Sequence, residues 1–545
     1  MKTYREIISR PSAKRISRFI FLFLLILVAS TNVFPQQISK LKPKSVQKET
    51  PREFQFIAYF FSQAVMNNVY ARNPFLTGQT IGRLFGANTT TTSDAETFYF
   101  EQRILPFFIY QPKLLNGRAI LRASFEIDWT WGDQSYGTGG NSGAAISADQ
   151  VNIQTQNVEL ELIPAPRFAI NLGLQRLFDT PYNPYRTVFN TMTNTGYRLA
   201  FWGTDAVGIN LRYDGDFSRY KLGYYQLYEN NIQLKDDVVL WELMAERDIT
   251  PTWQQGLSLW YVMDRANGAG GVSILGQGLN SLLNEYNGTI RLPLGNTVAK
   301  PYKADVYWLG TFWNRNPEFT LGRAAISGFA ITNRGSIDLK ETDGWMKKAD
   351  IEGYAANLRL GYKYGQTADD AILADLMITS GDGDTLSDGK YSGVLTGNTW
   401  AAPGAIYISH GSYLLMPHGN VVNRFVGAMN DISNIGLGFY GGSVAVQKSI
   451  IPNKLAAKIG YAAAISQQAP PFGGKNIGRE INGRISFQPH VFMNLELHAA
   501  HLSLGDFYES NTVNGSRART TDPAAKSEKP NNPWTVFLVF KWLMF

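Results

Sequence analysis

The chain has 545 residues, with 51 Gly, 24 Pro, 12 Trp, 27 Tyr, 32 Phe and no Cys, and only 17% of its residues are charged. This excludes disulfides, thiolate zinc sites and cysteine nucleophiles, suits neither disorder nor nucleic-acid binding, and its mean hydropathy of −0.18 is too polar for a bundle of membrane helices. The formal charge of +7 sits in the first 52 residues, so the rest is close to neutral and calls for no polyanion partner.

In chain order, Lys2, Arg5, Arg10, Lys14, Arg15 and Arg18 precede the eleven-residue apolar run Phe19–Ala29. A basic start, a short apolar run and a small-residue exit describe a secretory signal peptide; a membrane-crossing helix needs about 20 apolar residues. The signal is expected over 1–35, with cleavage between Ala29 and Gln37. Residues 36–52, with Lys40, Lys42, Lys44, Lys48 and Arg52, read as a solvated basic periplasmic linker. The remainder, 53–545, reads as one domain in which no apolar run reaches the roughly 18 residues of a membrane helix.

The next pattern has a period of two. Ala119, Leu121, Ala123, Phe125, Ile127, Trp129 and Trp131 alternate with Arg118, Arg122, Ser124, Glu126, Asp128 and Thr130, and Ile120 is the one exception. Alternate residues of a strand face opposite ways, so one face is apolar and the other polar. The pattern returns at Asn157–Leu162, Arg167–Gln175, Val207–Tyr213, Val239–Glu246, Asn357–Tyr364, Lys454–Tyr461, Glu480–Phe487 and Asn494–Ala499. Apolar toward lipid and polar toward water is the signature of a membrane strand.

Eight turn-like links separate these segments: Gln111–Asn116, Pro164–Pro166, Asp214–Phe217, Asp248–Trp253, Asn314–Glu318, Gly365–Asp370, Ile450–Asn453 and Gln488–Pro489. Nine longer stretches alternate with them: 66–95, 132–149, 179–196, 229–237, 265–302, 330–350, 382–434, 466–478 and 504–533. The alternation predicts an all-β, antiparallel up-and-down barrel of 18 strands with both ends on the short-turn side, provided Tyr407–Met416 is loop. Counts of 16 and 20 stay open, and strands 1, 2, 10 and 11 carry the weakest pattern. The last strand, Trp534–Phe545, is almost wholly apolar and ends on an aromatic, Phe545, the kind of terminus that barrel assembly machinery recognises. Lys541 interrupts it on the Phe545 face, where it would snorkel or meet a lipid headgroup. The expected location is the outer membrane of a Gram-negative-type bacterium.

Chemistry-bearing motifs are sparse. His498 and His501 are three apart, which puts them on opposite strand faces and makes a poor metal pair. Ser503 and His501 share a face, but nothing specifies a hydrolase site. Asp382, Asp384 and Asp388 lack the further ligands of a calcium loop, and the Gly-rich stretches lack nucleotide-binding spacing. No catalytic constellation, metal site or cofactor is expected. The polar strand faces supply the candidate pore lining instead: Arg118, Arg122, Arg212, Arg359, Lys363, Lys454, Lys458 and Arg484, balanced by Glu126, Asp128, Glu159, Glu161, Glu242, Glu246, Glu480 and Glu496. Such charges pair across strands, stiffening a wide barrel, or filter a polar solute.

Three short pieces, Gly173–Arg176, Thr379–Asp384 and Phe425–Asn434, resemble the alginate-export family of outer-membrane channels. That resemblance implies an 18-stranded barrel, diffusion of an anionic polysaccharide or similar solute, and Arg176 and Asp382 at the channel mouth. The balanced lining departs from the strongly basic pore a polyanion calls for. The sequence therefore reads as a porin-like channel for hydrophilic solutes, with membrane lipid and the assembly machinery as its other partners. A structural or adhesive barrel that binds partners through long external loops is the alternative, and 265–302 and 382–434 are long enough to fold inward.

Overall fold

The computed structural model describes residues 53–71, 80–83, 85, 90–131, 152–176, 205–228, 237–265, 302–316, 319–384, 387–395, 412–416, 424–429, 433–514 and 528–545. The expected signal peptide and linker lie outside the described residues. Eighteen strands form the wall: β1 Phe54–Ala71, β2 Thr90–Tyr110, β3 Ala119–Trp131, β4 Asn152–Ala165, β5 Phe168–Arg176, β6 Asp205–Asp214, β7 Ser218–Tyr228, β8 Val238–Thr250 and β9 Trp253–Asp264 in its first half. The second half holds β10 Tyr302–Arg315, β11 Ala324–Glu341, β12 Gly344–Lys363, β13 Ala371–Thr379, β14 Phe439–Ile451, β15 Leu455–Ser466, β16 Asn476–His490, β17 Met493–Leu504 and β18 Trp534–Met544. Each strand pairs antiparallel with its chain neighbours, and β18 pairs with β1 from Ala58↔Met544 to Asn67↔Thr535, which closes the sheet. Closure leaves no unpaired edge, the condition for a sheet to cross a bilayer.

The outward face confirms the membrane reading. Leu211, Leu243, Leu309, Val444, Ile459 and Ile481 are all at least 48% exposed on the outside of the wall. A belt of exposed aliphatic side chains this extensive needs lipid around it. The protein is thus an outer-membrane-type transmembrane barrel.

All eight short connections lie at one end of the barrel, near the expected turns, with two clear shifts. The link expected at Asn314–Glu318 is longer and later, because β10 ends at Arg315 and β11 begins at Ala324. β16 continues through Gln488 and Pro489 to His490, so its turn is Val491–Phe492. In the three-residue turn 452–454, Asn453 takes the left-handed conformation (φ 58°) that asparagine tolerates. At the other end the expectation for 330–350 is corrected. β11 and β12 run straight through it as 18- and 20-residue strands joined by only Thr342 and Asp343, with Gly344 at φ 118° after the turn. Their length exceeds the 9–11 residues that span a bilayer, so the far end of this hairpin, around Thr342 and Asp343, extends beyond the membrane. The pattern there reads as loop because its outward face is charged (Arg334, Asp350, Glu352) rather than apolar.

A second departure concerns the interior. The buried apolar cluster lies inside the barrel toward its long-loop end, where Trp260, Val262, Val306, Trp308, Phe329, Ile337 and Ile351 face inward. Against them pack Tyr391, Val394, Leu395, Leu414, Leu415 and Met416 from the connection 380–438. Trp308 Nε1 donates to the Leu395 carbonyl (2.9 Å), and Leu395 N–H donates to Asn333 Oδ1 (3.1 Å). Part of the expected loop Tyr407–Met416, residues 412–416, is indeed not strand, while 407–411 lie outside the described residues. Residues 424–427 of the same connection pair in parallel with 80–83. Burying Leu415 and Met416 favours the inward-folded state by roughly 1.5–3 kcal/mol each.

Candidate functional site

The inner wall has two zones. The apolar one, on β9–β12, carries the packed loop residues. The other is a girdle of buried, paired charges toward the short-turn end.

On β3–β6, Arg122 reaches Glu159 at 3.4 Å and Glu161 at 3.3 Å, while Arg212 reaches Glu161 at 3.0 Å. Asn171, between them on β5, donates to both carboxylates. The cross-strand register brings them together: Arg122↔Glu159 and Glu161↔Asn171 are direct partners, and Asn171 is opposite Asn210. Direct opposition puts side chains of one face about 4.5–5.5 Å apart at Cβ, within reach of charge pairing. On β7 and β8, Lys221 pairs with Glu242 at 2.8 Å, and the Tyr225 hydroxyl donates to the same carboxylate at 3.0 Å. Arg219 holds Glu246 and Asp248 at 2.8 and 2.7 Å.

Across the barrel, Arg359 on β12 meets Asp375 on β13 at 2.8 Å. Glu496 on β17 collects Lys541 Nζ (2.8 Å), His498 Nε2 (2.9 Å) and Arg484 (3.7 Å). The ring of His498 stacks on Phe537 with centroids 4.4 Å apart. Lys541 therefore points inward to a carboxylate, and the expectation that it meets lipid is corrected. His498 is fully buried and His501 exposed, on opposite faces of β17.

The remaining candidates fall elsewhere. Arg118 and Lys454 are exposed at the short-turn rim. Lys363 donates to the Phe319 carbonyl at 3.0 Å, where it fastens the link 316–323. Lys458 is buried, with its ammonium 5.6 Å from the centre of the Tyr413 ring. Glu480 is buried against the inward-folded segment 412–416. Asp382 accepts from the backbone N–H groups of Ser392 (2.9 Å) and Asp384 (3.1 Å), so it shapes its own loop. Phe545 follows β18, its ring edge-on to Phe492 at 4.8 Å. The backbones of Glu126, Asp128 and Arg176 lie on β3 and β5, and their side chains lie outside the described residues. In the turn before β13, the hydrogen bond from Lys448 (2.8 Å), with others from Thr367 and Ser449, holds Asp370 well below the usual carboxylate range.

The sequence reading missed Arg219, Lys221 and Asp375. Their signal was present, since Tyr220, Leu222 and Tyr224 alternate with Arg219, Lys221 and Tyr225, and Asp375 alternates with Leu376 and Ile378. The pairing of His498 with Glu496 had a local signal, since the two alternate on one face of β17, but that of Lys541 with Glu496 had none, because Lys541 comes from a different strand, 45 residues away.

No family model and no curated protein matches the chain. Among solved structures it is similar to Pseudomonas aeruginosa OccK5 (OpdH), at 8% identity over 90% of this chain and 99% of that one, with a TM-score of 0.45. It is also similar to a BenF-like porin from Pseudomonas fluorescens Pf-5 (10%, 90% and 98%, TM-score 0.46) and to Acinetobacter baumannii OccAB4 (10%, 90% and 98%, TM-score 0.45). At such identities the ground for the fold is the strand pairing of this chain itself. The resemblance to alginate-export channels is corrected by these findings, which point to barrels of another kind. The inner wall agrees with the correction: its cations are neutralised by carboxylates at 2.7–3.4 Å along β3–β8, not arrayed as a basic track.

Proposed function

We propose that the protein is an outer-membrane channel for passive diffusion of small hydrophilic solutes. The observation that carries this reading is the buried charged girdle inside a closed barrel. Replacing buried ion pairs by apolar residues is often neutral or stabilising, and β9–β11 are filled that way in this same barrel. A wall that needed only to be filled has no use for Arg122, Glu159, Glu161, Arg212, Lys221 and Glu242. A polar wall facing a solute path does, because it replaces the solute's lost hydration. The alternative of a structural barrel draws support from the loop residues packed inside.

Conductance of the purified protein in a planar bilayer separates the two. Discrete ion-current steps are the expected result, together with swelling of vesicles placed in small neutral sugars. Silence in both assays, with the barrel shown to be folded by heat-modifiable gel mobility, would falsify the channel reading.

A further inference from the structure

Glu480 on β16 faces the barrel interior and is fully buried. Its carboxylate accepts from three successive backbone N–H groups, Tyr413 (2.7 Å), Leu414 (2.8 Å) and Leu415 (2.7 Å). The Ser412 hydroxyl (2.8 Å) and the Asn482 amide (2.8 Å) donate as well. Four of these five donors belong to the inward-folded segment 412–416. Successive N–H groups converging on one point form an anion-binding nest, and hydrogen bonds to a carboxylate are about twice as strong as neutral ones. Ser412 Oγ also accepts from Met416 N–H (2.9 Å), so the turn is closed before it grips the wall.

The grip extends further into the interior. Ala428 N–H donates to the Leu414 carbonyl (2.7 Å) and Met429 N–H to the Leu415 carbonyl (3.0 Å). Residues 428–429 continue directly from 424–427, which pair with 80–83 of another connection. One wall carboxylate thus fastens two connections inside the barrel. The site adjoins the charged girdle, since the Tyr413 ring stands edge-on to His498 (5.0 Å) and Phe537 (5.7 Å).

We propose that residues 412–415 form an oxyanion site whose resident ligand is the Glu480 side chain, and that this contact is the latch holding the loop across the interior. The anchor stands on geometry alone; its role as a gate rests on the channel reading above.

The full-length protein in lipid is examined by amide hydrogen exchange and by bilayer current, with Glu480→Ala to vacate the nest and Glu480→Gln to keep its shape. Glu480→Ala is expected to speed exchange at residues 413–415 by roughly tenfold or more, the loss of about one charge-assisted bond, and to lengthen or enlarge the open current. Glu480→Gln falls between. Sodium acetate, compared with sodium chloride at equal ionic strength, is expected to slow exchange again in Glu480→Ala by filling the vacated nest. Unchanged exchange in a folded Glu480→Ala barrel overturns the latch. Faster exchange that acetate does not slow overturns the oxyanion site. Faster exchange with no current from wild type or variant keeps the anchor and sinks the channel reading instead. Should Glu480→Ala fail to fold, Ser412→Ala, which leaves the wall untouched, must speed the same amides or the proposal fails.

Discussion

Glu242 shows what a buried charge demands of its neighbours. The Lys221 ammonium and the Tyr225 hydroxyl hold its carboxylate inside the wall. Removing one partner of a buried pair leaves an uncompensated charge, which costs more than the pair contributes when intact. Lys221→Met should therefore destabilise the barrel by about 3–5 kcal/mol. The double variant Lys221→Met with Glu242→Leu should recover most of that loss, because both charges are then gone. Urea titration of the protein refolded into lipid vesicles measures both values. Equal stability of the single and double variants would mean that water reaches Glu242 and solvates it. Half of this pair was legible at residue level: Glu242 alternates with apolar neighbours in a long strand, whereas its partner becomes evident only from the register that sets Gly223 opposite Glu242.

For a whole strand, what matters is which face meets lipid and at what depth. In β8, Trp241 and Leu243 point outward while Leu240, Glu242 and Met244 point inward. Leu243 lies near the middle of the strand and Ile249 near its short-turn end, both outward and more than half exposed. Arginine on the lipid face costs roughly 2–4 kcal/mol at the midplane and near 0–1 at the interface. Leu243→Arg should thus lower stability by that larger amount and Ile249→Arg by little, again read from urea titration in vesicles. Equal costs would show that β8 sits at a different height. β10 explains why alternation was faint in some strands. Its inward residues Val306 and Trp308 are as apolar as its outward Leu309, because loop residues rather than water cover its inner face.

Selectivity belongs to the molecule as a whole. Because the girdle is paired, wild-type preference between cations and anions should be weak. Removing one member exposes the other in a confined space where low-dielectric walls focus its field. Arg359→Gln, which leaves Asp375 without its 2.8 Å guanidinium partner, should move the reversal potential toward cations. The shift should shrink in 1 M salt, where the Debye length is about 3 Å. A reversal potential unmoved by Arg359→Gln at low salt would place the ion path away from β12 and β13.

The period-two pattern and the alternation of short and long connections were enough to point to a membrane barrel of about 18 strands, with 16 and 20 left open until the strand pairing decided the count. Strand orientation in a bilayer is a local property: each residue meets either lipid or the interior, and alternation records the choice. Within the eight short-turn hairpins strand pairing follows too, because those turns are too short to allow any other partner, whereas across the long connections it is the closed sheet that makes chain neighbours pair. What fills the interior was decided by tertiary structure alone. Glu480 reads in sequence like any other inward carboxylate, and Leu414-Leu415-Met416 like any apolar stretch of loop. Only the folded chain brings backbone donors from 413–415 to a side chain 65 or more residues away. Backbone N–H groups carry no residue identity, so a site built from them leaves no mark on the sequence.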